Sequence, residues 1–323
     1  MRAVVHDRYG PPSVLRVLDL PRPAPQPDEV LVRVHATTVN RTDCGFRDPT
    51  PFFVRVFSGI VRPRHRILGT EFAGEVVEAG TSVTGFKKGD RVFGVNDMLF
   101  GAHAEYLCVA ESKPIAAIPP GVGYDEAAAV SDGFMLAHSC LRAASLGSGQ
   151  RLLVYGASGA IGTAAVQLAK AWDVEVTAVC VTKAVEVVAS LGADEVVDYT
   201  TTDFASGRGD FDVVFDAVGK TSFSRCRHLL KPRGWYLETD LGRFWQNPFL
   251  GLVTRLHRGR QVRMPIPDYS RENLLVLSEL IGAGRYRAVI DRRYPLEDIV
   301  EATTYVESQQ KVGNVVITVA PPG

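Results

Sequence analysis

What this chain lacks narrows its class first. Neither charge is in excess, since Lys plus Arg number 36 and Asp plus Glu number 36. No global field therefore draws it toward nucleic acid or an anionic membrane. The five cysteines (Cys44, Cys108, Cys140, Cys180, Cys226) are odd in number, widely spread, and never form a C-x-x-C pair. That argues against a disulfide framework and against a structural zinc lobe. No stretch approaches the roughly 20 uninterrupted apolar residues that a bilayer requires. Met1–Asp7 reads as a first strand, without the apolar core of a signal peptide. Repeats and low-complexity segments are absent too. The expectation is a protein of the reducing cytoplasm. What is there fits two folded domains: 323 residues, of which 46% are hydrophobic and 22% charged.

The texture changes twice along the chain. Residues 1–122 carry short β-type runs broken by Gly and Pro, such as Val30–Val34, Gly74–Glu78 and Asp90–Gly94, and predict a barrel-like β module. From 123 to 265 strands and helices alternate. Strands are predicted at Arg151–Tyr155, 174–180, Glu195–Val197 and Phe211–Phe215, with helices at 160–171 and 183–191. That order implies βαβ units and a parallel sheet. After 266 come helices at 271–283 and 296–308, a strand near Arg287–Ile290, and a final strand Asn314–Val319 that is free to return to the first domain's sheet.

The strand Arg151–Tyr155 runs directly into Gly156-Ala157-Ser158-Gly159-Ala160-Ile161-Gly162 and then into a helix. Glycines at this spacing allow a tight turn, close approach of a pyrophosphate, and close packing of helix on strand. The phosphate then meets free N–H groups at a helix N-terminus. The next strand ends Ala178-Val179-Cys180-Val181-Thr182-Lys183. It lacks the carboxylate that holds a ribose 2′-hydroxyl in NAD sites, and Lys183 with Thr182 suits a 2′-phosphate, so the expected cofactor is NADPH/NADP. Lys183 also reads as the exposed start of a helix. Tyr199 ends the third strand and is a candidate neighbour of the adenine ribose. Phe215-Asp216-Ala217-Val218-Gly219 ends the fourth, where ligands of doubly wound sheets lie. Gly219 reads equally as a turn glycine. Val218 and Asn314 complete the candidate cofactor set.

Several segments together resemble the medium-chain dehydrogenase/reductase superfamily, and most closely its zinc-independent quinone oxidoreductase branch. They are Val39-Asn40-Arg41-Thr42-Asp43, Leu68-Gly69-Thr70-Glu71-Phe72-Ala73-Gly74, Lys88–Gly94, the Gly156–Gly162 loop and Leu191–Tyr199. The resemblance spans essentially the whole chain. It implies an α/β protein in which a GroES-like β-barrel catalytic domain (1–122 and 266–323) is split by a Rossmann doubly wound parallel-sheet domain (123–265). It also implies a nicotinamide held between the two domains, and a homodimer. At the positions where zinc-dependent relatives carry ligands, this chain has Asn40, Thr70 and Asp132. Zn²⁺ prefers imidazole nitrogen and thiolate sulfur, so no metal is expected.

Without a Lewis acid the protein can only align the partners and stabilise charge developing on the substrate oxygen. Quinones and α,β-unsaturated carbonyls (enones) suit that limit, because conjugation spreads the charge. Asn40 is a candidate amide donor to the substrate oxygen, Asp132 a candidate proton donor, and Asp43 a third candidate catalytic group. Arg47, Phe53 and Glu71 are candidates for the substrate pocket. Asp43 and Glu71 also read as braces bonded to Arg47 or to backbone. Residues 51–66 resemble a lid. The basic, aromatic stretch 243–263 reads as an insertion lining the pocket or as a subunit contact rather than a nucleic-acid or membrane surface. A metal-free alcohol or aldehyde oxidoreductase and a non-catalytic dinucleotide-binding protein are the alternatives.

Overall fold

The computed structural model describes residues 1–49, 55–207, 209–239, 250–254 and 259–319. The chain divides into two compact units, Met1–Asp132 with Tyr269–Gly323, and Gly133–Asp268. The first boundary falls later than the sequence texture suggests. The helix Tyr124–Ala128 buries Ala127 and Ala128 and packs against strands Glu29–Val39 and Glu71–Ala79, so it belongs to the first unit.

The first unit is built on a seven-stranded, mostly antiparallel sheet. Its long strand Glu29–Val39 pairs with Glu71–Ala79, with Tyr106–Ala110, and with the last strand Asn314–Thr318. The chain's end thus returns to the first domain, as the isolated terminal strand suggested. Val30, Val32, Val34, Phe72, Val76 and Ile317 meet in one apolar core. Each buried side chain of this size stabilises the fold by roughly 1.5–3 kcal/mol. Where Glu29–Val39 ends, Asn40 starts the helix Arg41–Arg47 with a reciprocal cap. Asn40 Oδ1 accepts from the Asp43 N–H (3.0 Å), and Asp43 Oδ2 accepts from the Asn40 N–H (3.0 Å).

The second unit holds a parallel six-stranded sheet. Its strands lie in the order Glu195–Asp198, Glu175–Cys180, Arg151–Tyr155, Phe211–Asp216, Leu230–Glu238 and Gln261–Arg263. In sequence order this is the 3-2-1-4-5-6 pattern of dinucleotide-binding sheets. The order in which successive strands are added to the sheet switches sides between the parallel pair Arg151–Tyr155 and Phe211–Asp216, and a ligand crevice belongs beyond the carboxyl ends of that pair. Leu230–Glu238 is a strand the sequence concealed, because Lys231-Pro232-Arg233-Gly234 looks like a turn. The sheet absorbs it with a register shift opposite Phe211–Val213 and a left-handed Arg233 (φ 70°). Phe53, and most of the basic segment (240–249 and 255–258), lie outside the described residues. Of that segment's arginines, Arg260 Nε donates to Leu230 O (2.7 Å), and Arg263 lies over the Trp235 ring. Both pack on their own chain. Among the described residues, no helix is long and apolar enough to cross a membrane.

Candidate active site

Two polar constellations stand out, one in each unit. In the second, the glycine turn is fixed by its own backbone. The N–H groups of Gly156 and Ala157 both donate to Val179 O at 3.0 Å. Gly156 is left-handed (φ +79°), and a Cβ there would stand 2.6 Å from Val218 Cγ atoms. A Cβ on Gly162 would stand 2.2 Å from Gly156 O, so the helix Ala160–Ala171 could not seat on the turn. Gly159 is different. Its φ of −78° is open to any residue, and a Cβ there would stand 3.7 Å from Gly156 O and 3.9 Å from Val218 Cγ1, ordinary contact distances. The fold does not require a glycine there; a ligand in contact with the turn would. Gly159 caps the helix without a side-chain hydrogen bond, leaving the first-turn N–H groups of Ala160, Ile161 and Gly162 without helical acceptors. Gly156, Ser158, Gly159, Ala160 and Ile161 are partly exposed, while Ala157 and Gly162 are buried. These residues fit a dinucleotide diphosphate.

The neighbouring strand ends converge on this turn. Tyr199 N donates to Cys180 O (3.1 Å), and the Tyr199 side chain is 47% exposed. Cys180 is fully buried and its thiol is pushed up to about 11 by burial, so it supplies backbone and packing rather than chemistry. Thr182 Oγ1 lies 2.8 Å from Thr200 Oγ1, and Lys183 is exposed beside it. On the other side, Asp216 was passed over as a site residue but shapes the loop. Its Oδ1 accepts from Val218 N (3.0 Å) and Gly219 N (2.9 Å), and its Oδ2 from Thr221 N (2.8 Å). This bonding sets Val218 against Gly156 and gives Gly219 its left-handed φ of 66°.

In the first unit, three of the sequence candidates meet. Asn40 Nδ2 donates to Thr70 Oγ1 (2.7 Å) and to Asp132 Oδ2 (3.3 Å). Glu71 Oε1 accepts from the Asp132 N–H (2.8 Å), and Thr38 Oγ1 donates to Glu71 Oε2. Tyr269 Oη donates to Asp132 Oδ1 (2.6 Å). Asn40, Thr70, Glu71 and Asp132 are all buried. Removal from water pushes Glu71 up to about 8, and the Asp132 charge adds to the shift. The same burial raises Asp132 to about 6, opposed by the Tyr269 hydrogen bond. Burial thus disfavours the charge on both carboxyls, and more strongly on Glu71. Burial likewise lowers Lys311 to about 8, with Glu71 and Asp291 opposing that shift.

Several expected roles change. Asp43 spends Oδ2 on Asn40 N and Oδ1 on Gly69 N (2.9 Å), so it braces two loops and has no catalytic reach. Arg47 is not a pocket residue that faces substrate. Its side chain is 2% exposed and paired with Glu307 on the helix Ile299–Glu307. Asn314 belongs to the first unit, and its amide N–H groups donate to Ala129 O (2.8 Å) and Val289 O (3.3 Å). It therefore ties a strand to its neighbours and has no side-chain donor left for a cofactor. Both N–H groups of Asn40 are also spent within the chain, so it orients Thr70 and Asp132 instead of binding substrate oxygen directly. Tyr269 and Lys311 escaped the sequence reading. Tyr269 lies 137 residues from its partner Asp132, and no local spacing reveals such a pair.

Zinc does not fit. An amide, a hydroxyl and one carboxylate occupy the ligand positions, and they are bonded to one another. Among the described residues, no three His, Cys, Asp or Glu side chains group to hold a metal.

Comparison with known proteins agrees with this geometry. Residues 26–120 match the alcohol dehydrogenase GroES-like domain, and residues 191–317 match a family described as zinc-binding dehydrogenase. The chloroplast envelope quinone oxidoreductase homolog of Arabidopsis thaliana is 31% identical, over 98% of both chains. The 2-methylene-furan-3-one reductase of Solanum lycopersicum is 30% identical, over 99% of this chain and 80% of its own. The quinone oxidoreductase of Coxiella burnetii superposes with a TM-score of 0.87 at 26% identity, over 99% of each chain. The chain is an oxidoreductase-family protein that belongs to the zinc-independent, quinone oxidoreductase-like branch of the medium-chain dehydrogenase/reductase superfamily.

Proposed function

We propose that this chain reduces a small quinone or α,β-unsaturated carbonyl compound with NADPH. The observation that carries the reading is the Asn40–Thr70–Asp132 set, a buried amide, hydroxyl and carboxylate hydrogen-bonded to one another, a donor set that suits zinc poorly. Reduced nicotinamide, when bound, supplies hydride. Gly156–Gly162 and the helix that follows hold its diphosphate, and Lys183 favours a 2′-phosphate. The acceptor must then tolerate weak polarisation, which conjugated carbonyls do.

The chain's own residues supply the remaining chemistry. Thr70 Oγ1 accepts from Asn40 and, among the described residues, donates its own proton to no acceptor. We assign that O–H to the substrate oxygen. Asn40 fixes its direction, and burial strengthens it by excluding water. The second product hydrogen is a proton, and protonated Glu71 with Asp132 forms a buried reservoir beside Thr70.

The test is a turnover panel. Purified protein with NADPH should oxidise it in the presence of benzoquinone or methyl vinyl ketone, and should leave simple alcohols untouched with NADP⁺. Consumption with no conjugated acceptor, or steady oxidation of alcohols, would overturn the proposal.

A further inference from the structure

The adenosine end of the nucleotide site carries a feature that the end of the second strand does not reveal. Asp198 closes the third strand, directly beside the second, in register with Cys180. Its Oδ1 accepts from the Thr200 N–H (2.9 Å) and from Thr200 Oγ1 (2.7 Å). Thr200 Oγ1 in turn lies 2.8 Å from Thr182 Oγ1. Counting protons gives the direction of this chain of bonds. The Thr200 hydroxyl has one hydrogen, which goes to Asp198, so the Thr182 hydroxyl gives its own hydrogen to Thr200 or to Asp198 itself.

Two consequences follow. The Thr182 proton is spent on its own chain, so Thr182 does not add the donor to a 2′-phosphate that the sequence suggested. A carboxylate also stands within hydrogen-bonding reach of the Thr182–Lys183 loop. These bonds hold the Asp198 carboxyl below the usual carboxylate range, the Thr182 and Thr200 hydroxyls contributing most, so it is charged throughout the physiological range. Asp198 is half-buried, while Thr182, Lys183, Tyr199 and Thr200 are exposed around it.

We propose that Asp198 is a specificity-determining residue that limits the preference for NADPH, so that the chain also accepts NADH. The proposal rests on the dinucleotide reading above and deepens it. Lys183 attracts a 2′-phosphate, whereas Asp198 repels it and offers an acceptor to a ribose 2′-hydroxyl. The two charges act on the same end of the nucleotide in opposite senses.

The experiment compares dissociation constants for NADPH and NADH, by protein fluorescence, in the wild type, Asp198→Asn and Asp198→Ala. Asparagine keeps the Oδ1 acceptor for Thr200 and removes only the charge; alanine checks that the result follows charge and not the amide. Wild type should bind both nucleotides. In both variants the ratio of NADH to NADPH dissociation constants should rise about fivefold, the scale of one like-charge contact near a solvated surface, and the rise should shrink in high salt. An unchanged ratio in Asp198→Asn, with NADPH still bound by the wild type, overturns the role of Asp198 and leaves the dinucleotide reading intact. A wild type that binds neither nucleotide overturns both.

Discussion

Replacing Glu71 by glutamine removes one buried proton site and almost nothing else. Glu71 is 1% exposed, and its two oxygens meet the Asp132 N–H and the Thr38 hydroxyl. Glutamine keeps an oxygen for the first contact and presents an amide to the second, where the threonine oxygen can accept. The folded protein holds the Glu71 carboxyl up at about 8, because burial disfavours the charge; unfolded, it returns to its ordinary value of 4.5. The folded state therefore binds the extra proton. Its stabilising effect is fully present below about pH 4.5 and is lost as pH rises through 8. Integrated from pH 6 to pH 8, that loss is about 2 kcal/mol. In a unit of this size it corresponds to roughly 4–8 °C in thermal midpoint. Thermal unfolding of wild type and Glu71→Gln at both pH values reads the effect of Glu71 together with its coupling to Asp132 and Lys311, because the remaining titrating groups are common to the two proteins. The wild-type midpoint should fall by that amount more than the variant's. An equal fall in the two proteins, or a steeper one in the variant, would refute the assignment of a neutral, buried Glu71.

Three further outcomes can be checked with single substitutions. Gly159→Ala should leave the thermal midpoint within about 2 °C of wild type, because its Cβ meets no neighbour closer than 3.7 Å, yet weaken dinucleotide binding at least about tenfold by calorimetry. Gly162→Ala should instead destabilise the second unit by about 2 kcal/mol or more, since its Cβ would lie 2.2 Å from Gly156 O. Tyr269→Phe removes the hydroxyl that holds Asp132 down, so the acid limb of the kcat/KM profile should move to higher pH; a profile that stays in place would sever Tyr269 from the proton inventory.

The second unit was legible because its chemistry is local. Strand, glycine turn and helix are contiguous from Arg151 to Ala171, and Gly162 is tied to a contact within the turn itself and Gly156 to one on the loop after the adjacent strand. The strand Leu230–Glu238 escaped because a proline and a glycine were accommodated by a register shift, which is a property of the pairing and not of the segment. The first unit's site was only half legible. Asn40, Glu71 and Asp132 could be found as polar residues in recognisable segments. What they bond to depends on the antiparallel pairing of Glu29–Val39 with Glu71–Ala79 and on a tyrosine that returns after the whole second unit.

The roles of Asn40 and Thr70 show why residue identity underdetermines mechanism even when the right residues are found. An asparagine at the head of a helix suggests a donor for substrate, and two N–H groups are available to it in principle. Here the Oδ1 is committed to the Asp43 N–H as a cap, which fixes the plane of the amide. With that plane fixed, Nδ2 points at Thr70 and Asp132 and cannot turn elsewhere without uncapping the helix, at a cost of about 1 kcal/mol. The donor that is left over belongs to Thr70, whose oxygen already accepts from Asn40 and whose proton, among the described residues, meets no acceptor. The cap that makes Asn40 necessary to the fold is thus what passes the hydrogen-bonding role to its neighbour. Thr70→Val, which keeps shape but deletes the hydroxyl, should therefore lower kcat about tenfold or more, whereas Thr70→Ser, which keeps the hydroxyl, should retain most of the turnover.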